Sequence, residues 1–124
     1  MTTTKAELIA VVDDDESLRA ALRLLLKGAG FAVLLFASAE ELLQSGQLSE
    51  VACLVADIRM PGMSGLDLQA KLKAESYLIP IIFITAHGDE KMRLRAMRAG
   101  AVGFLPKPFD SGVLLDRVRS ALGA

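Results

Sequence analysis

The stretch "VACLVAD", Val51 to Asp57, decides the fold. Apart from its final aspartate it is apolar throughout, with no alternation of polar and apolar positions. A strand with one wet face alternates, whereas a continuous apolar run is buried on both faces, as in a parallel sheet between two helix layers. The same kind of run recurs on either side. Upstream lie "LIAVV" (8–12) and "FAVLLF" (31–36); downstream lie "PIIFITA" (80–86) and the short "VGFL" (102–105).

Longer segments with helical periodicity separate these runs. "ESLRAALRLLLKGAG" (16–30) sets Leu18, Ala21, Leu22, Leu25 and Leu26 on one face and ends in glycines. "SAEELLQSG" (38–46) carries Glu41 three residues after Ser38, the spacing of a capping box. "SGLDLQAKLKAE" (64–75) and "DEKMRLRAMRAG" (89–100) follow, with Gly100 just past the end of the second. "DSGVLLDRVRSALG" (110–123) closes the chain with Asp110 as N-cap. Strand and helix alternate through five units. Right-handed crossovers then require an α/β, doubly wound, five-stranded parallel sheet with five helices, one domain over residues 1–124.

Composition narrows the function. The chain of 124 residues suits one core, and 52% of it is apolar. Fourteen basic against fifteen acidic residues (Lys+Arg 14, Asp+Glu 15) leave a net charge of −1, without the basic excess of a dedicated nucleic-acid surface. The single cysteine, Cys53, cannot form an internal disulfide and reads as a small buried apolar residue. "MTTTKAE" lacks the apolar region of a signal peptide, and no apolar run approaches the ~20 residues of a membrane span. A cytoplasmic protein with no membrane association is expected.

In doubly wound sheets the functional site lies at the carboxyl ends of the strands. There the first run leads into Asp13, Asp14, Asp15 and Glu16, the third ends at Asp57, the fourth at Thr85, and the fifth leads into Pro106-Lys107-Pro108. Three carboxylates brought together from two strands repel unless a hard divalent cation relieves them, and Mg²⁺ takes oxygen ligands. With Lys107 as a point charge and Thr85 as a hydroxyl, the set suits phosphoryl transfer, with a carboxylate as nucleophile.

At this point the chain resembles the receiver domain of bacterial two-component response regulators, in the CheY-like superfamily. The resemblance runs from Leu8 to Leu122. It rests on the Asp13-Asp14 pair, Asp57 in "VADIRMPGMSG", Thr85 in "FITAHGD" and Lys107-Pro108 in "FLPKPF", in that order. The phrases "DIRMPGMSG", "TAHGD" and "AMRAGAVGFLPKPF" are most similar to the FixJ-like subfamily, whose members regulate transcription. The resemblance implies a flavodoxin-like strand order, 2-1-3-4-5. It also implies that Asp57 accepts a phosphoryl group from a sensor histidine kinase. Asp14 would bind Mg²⁺ directly, Asp13 directly or through water, and the backbone carbonyl of Arg59 would add a ligand beside Asp57. Thr85 and Lys107 would engage the phosphoryl group, and Phe104 would be the switch aromatic. Lys107-Pro108 is expected to be cis. Asp15 and Glu16 are left for the first turn of the helix.

The output implied by the resemblance is a face made of the fourth helix, fifth strand and fifth helix, bearing Met92, Arg95 and Phe109, used for a homodimer on phosphorylation. A C-terminal DNA-binding domain beyond this chain is the implied extension. Phe104 departs from the tyrosine of many relatives and has no hydroxyl. Arg59 and His87 are larger than minimal at positions that, by the same resemblance, influence how water reaches the phosphoryl group; His87 reads as a loop residue. The basic spacing Lys91, Arg93, Arg95, Arg98 fits a solvated helix face as well as an interaction surface. The alternative is a small Mg²⁺-dependent aspartyl-phosphate phosphatase or phosphotransferase, but the chain has no length for a cap domain. A flavodoxin-type nucleotide site is disfavoured because "DDDES" has no glycine to cradle a phosphate and would repel one. No enzymatic activity beyond its own phosphorylation and dephosphorylation is expected.

Overall fold

The computed structural model describes residues 6–86 and 88–123, so the reading of His87 lies outside the described residues. Five strands, β1 (Leu8–Val12), β2 (Ala32–Phe36), β3 (Cys53–Asp57), β4 (Ile81–Thr85) and β5 (Gly103–Pro106), alternate with five helices. These are α1 (Glu16–Gly28), α2 (Ala39–Gln44), α3 (Gly65–Ala74), α4 (Glu90–Arg98) and α5 (Ser111–Ala121). The strands form one parallel sheet in the order β2-β1-β3-β4-β5. Architecture and order are those expected.

The sheet is buried on both faces where it is central. Every residue of β3 and β4 is buried, whereas β2, at the edge, is half-buried along its length. An edge strand has one neighbour, so its apolar run reflects partial cover rather than full enclosure. Alternate side chains feed two cores. Ala10, Val12, Leu54, Ala56 and Phe83 pack with α2, α3 and α4 through Leu42, Leu68, Leu72 and Ala96. Ile9, Val11, Cys53, Val55, Ile82 and Ile84 pack with α1 and α5 through Leu22, Leu26, Leu114 and Val118. Burial pushes the Cys53 thiol up to about 12, which leaves it inert in the core.

Helix starts follow the expected chemistry. Asp15 caps α1 by accepting from the amides of Ser17 and Leu18, so it stands just before the helix and Glu16 opens the first turn. Ser38, Ser64, Asp89 and Asp110 cap the other four helices. Two details differ from the sequence reading. A 3-10 turn, Leu48–Glu50, which the periodicity does not mark, lies between α2 and β3. On α1 only Leu22 and Leu26 are fully buried, while Ala21 is exposed, because the helix meets the sheet along a narrower stripe than the periodicity suggests. Among the described residues no helix is long and apolar enough to cross a membrane.

Candidate functional site

The carboxyl edge of β1, β3, β4 and β5 brings the expected residues together. Asp13 follows β1 and is held in line by its amide, which donates to the Phe36 carbonyl at 3.1 Å. Its side chain is fully buried. Asp13 Oδ1 accepts from the Asp15 amide at 2.9 Å, and the Asp13 carbonyl accepts from Arg19 Nη1 at 2.7 Å. Asp57 ends β3 and is also buried, its Oδ1 accepting from the Arg59 amide at 3.2 Å. Asp14 is exposed at the mouth of the site.

Lys107 ties the two buried acids together. Its Nζ donates to Asp13 Oδ2 and to Asp57 Oδ2, both at 2.9 Å. The backbone fixes the lysine in turn: its amide donates to the Thr85 carbonyl at 3.0 Å, so β4 and β5 stay registered past their ends. The Lys107-Pro108 bond is cis. The bridge to Asp13 was not expected, because 94 residues separate the pair in sequence and nothing in the local pattern marks it.

Burial is the largest single influence on Asp13 and Lys107, but it decides the direction only for Asp13. Desolvation pushes the Asp13 carboxyl above its ordinary range, against the opposing pull of the Asp15 amide and of Lys107; repulsion from Asp57 adds to the push. Mutual repulsion among the acids is therefore the lesser cause. For Lys107, burial acts to lower the ammonium's pKa, but hydrogen bonds and charge from Asp13 and Asp57 outweigh it and hold the pKa above the usual lysine value. The lysine stays charged.

Ligand oxygens of Asp13, Asp14 and Asp57 all lie within 4.8 Å of one another. Carboxylate oxygens without sulfur or imidazole are the donors of a hard cation such as Mg²⁺. One ammonium offsets at most one of these three charges, so the donor set fits a divalent ion.

Thr85 is buried at the end of β4, and Phe104 lies half-buried in β5 opposite Phe83. Gly88 stands between their side chains. A Cβ built at Gly88 would come within 2.7 Å of the Thr85 methyl and 2.8 Å of the Phe104 ring. The Arg59 side chain is exposed, while its amide is the part that touches Asp57. Sequence reasoning missed Gly88, and also Glu40, whose Oε2 accepts from the Met63 amide at 3.0 Å. An acid in the first turn of a helix looks like a solvated one, and its partner lies 23 residues away.

The family profile of the response regulator receiver domain matches residues 9–119. The chain belongs to the response regulator receiver family. Nodulation protein W of Bradyrhizobium diazoefficiens is 50% identical over 119 residues, which are 96% of this chain and 52% of that protein. Transcriptional regulatory protein FixJ of the same organism is 42% identical over 97% of this chain and 58% of its own length. A solved structure of the response regulator StyR is 51% identical, with a TM-score of 0.89 over 96% of this chain and 60% of that one. The solved FixJ-N structure is 39% identical, with a TM-score of 0.85 over 97% of this chain and 96% of that one. This receiver spans about half the length of the curated relatives it matches. Receivers are signalling modules, which favours that reading over the small phosphatase.

Proposed function

We propose that the chain is, over residues 1–124, a single receiver domain that accepts a phosphoryl group on Asp57 from the phosphohistidine of a sensor kinase in the cytoplasm. The observation that carries this is the Lys107 ammonium held 2.9 Å from both Asp13 and Asp57 at the carboxyl edge of the sheet. A buried carboxylate beside a fixed positive charge is a placed nucleophile whose product charge is already matched.

An Asp57 carboxylate oxygen forms a bond to phosphorus as the phosphorus–nitrogen bond of the donor breaks and the imidazole leaves with its electron pair. Asp13, Asp14, Asp57 and the Arg59 carbonyl would hold Mg²⁺, which, when bound, screens the carboxylates and neutralises phosphoryl oxygens. Lys107 keeps its charge and turns its hydrogen bonds toward the phosphoryl oxygens. Thr85 supplies a hydroxyl to the same group, and its movement makes room for the Phe104 ring. The outcome is a shift between two packings of α4, β5 and α5. A homodimer forms through that face, and a DNA-binding domain beyond this chain reads the change as control of transcription.

Acetyl phosphate with Mg²⁺ tests the assignment by intact mass. Wild type is expected to gain one phosphoryl group and Asp57→Asn none. Equal uptake by Asp57→Asn overturns the assignment.

A further inference from the structure

Glu40 lies outside the cluster of Asp13, Asp14 and Asp57, but it touches the loop that follows Asp57. Its helix is firmly seated: Ala39 and Leu42 of α2 are fully buried. The start of α2 is pinned twice, by the Glu41 amide donating to Ser38 Oγ at 3.1 Å and by the Ala37 amide donating to Glu41 Oε1 at 3.0 Å. Glu41 thus serves the helix start, and Glu40 is turned to the loop that follows β3. Its Oε2 accepts from the Met63 amide at 3.0 Å, while its Oε1 is buried with no hydrogen-bond partner among the described residues. An acid that only favoured the helix dipole would stay in water, because burying an unpaired acceptor is costly.

The loop is shaped around this carboxylate. Gly62 has φ +76, a left-handed conformation that glycine adopts readily. A Cβ at Gly62 would stand 2.6 Å from Glu40 Oε2. From Met63 the loop runs back through Pro61 and Met60 to Arg59, whose amide holds Asp57 Oδ1 at 3.2 Å. Its other end is fixed by the Gly65 amide donating to the Ile58 carbonyl at 2.8 Å.

We propose that Glu40 is a positioning residue for the metal cup. By anchoring the Met63 amide it fixes the Ile58–Met63 loop, and so the aim of the Arg59 backbone beside Asp57. The inference rests on the Mg²⁺-dependent receiver reading above. Outer partners of metal ligands set affinity because they hold the ligands in place before the ion arrives.

The test is Mg²⁺ titration by calorimetry, well below each variant's melting temperature, with exchange of the Met63 amide followed by NMR. Glu40→Ala is expected to weaken Mg²⁺ by roughly tenfold and to speed Met63 exchange. Glu40→Gln keeps an acceptor and is expected to recover most of both. Mg²⁺ affinity of Glu40→Ala within about twofold of wild type overturns the proposal. A wild-type chain that binds no Mg²⁺ would overturn the Mg²⁺-dependent mechanism proposed above, a result distinct from unchanged variants.

Discussion

At the scale of single residues, the proposed role of Asp13 as a metal ligand runs against the stability of the fold. Its carboxyl is raised above the ordinary 3.8, chiefly by burial, even after the contributions of Lys107 and the Asp15 amide. The folded state therefore holds this proton more tightly than the unfolded chain does. Stability falls as pH rises from the ordinary value through the folded one, and the penalty is constant above that. Asn cannot ionise, keeps an oxygen for the Asp15 amide, and leaves Lys107 its 2.9 Å contact with Asp57. In EDTA at neutral pH, Asp13→Asn should melt at or above wild type, by up to about 5 °C, with the gap closing as pH falls toward about 4. With Mg²⁺ the order should reverse, since the variant has lost a ligand. A lower melting temperature for metal-free Asp13→Asn would mean that the acid is a net stabiliser of the fold.

At the scale of elements, Gly88 sits where the end of β4 meets β5, on the route by which the proposed switch would reach α4, β5 and α5. Thr85 ends β4 and Phe104 sits on the neighbouring strand, and Gly88 fits against both side chains. The close approach of both side chains sets a demand for glycine here. Gly88→Ala must displace the Thr85 methyl or the Phe104 ring, an overpacking that costs about 1–3 kcal/mol. Amide shifts over residues 85–105 should then change without phosphorylation, which two-dimensional NMR would detect. A Gly88→Ala spectrum superimposable on wild type beyond residue 90 would separate Phe104 from Gly88. The strand ends that supply Asp57, Thr85 and Lys107 were legible in the sequence, because a polar residue that breaks an apolar run marks where a strand leaves the core. The contacts of Gly88 and Glu40 were not. Each depends on chain segments that meet only after folding, and neither residue type signals the partner it meets. Ala21 failed for a related reason: helical period gives a direction, but the width of the buried stripe depends on the sheet beneath it.

At the scale of the whole molecule, the question is what the α4–β5–α5 face presents. Met92 and Phe109, expected there as contact residues, are half-buried and pack inward against the two cores. Exposed apolar side chains on these elements include Leu94 and Met97 on α4, Val102 just before β5 and Val113 on α5, together with the exposed Arg95 and Arg98. Leu94 and Met97 stand three residues apart and share one side of the helix. Such side chains gain by leaving water, but their area is small and partly lost among charges, so the resting chain should be monomeric. On the proposed switch, a change in the Phe104 packing would alter the relation of α4 to β5 and bring these residues into one patch. A symmetric dimer places the same patch on both partners, so one substitution alters the interface twice. Sedimentation with Mg²⁺ and beryllofluoride should show a dimer, against a monomer without them. Met97→Asp should weaken that dimer by more than tenfold, while intact mass shows phosphorylation of Asp57 unchanged. If Met97→Asp dimerises as wild type does, the partners meet elsewhere. If wild type stays monomeric with beryllofluoride bound, the phosphorylated receiver works through a different partner.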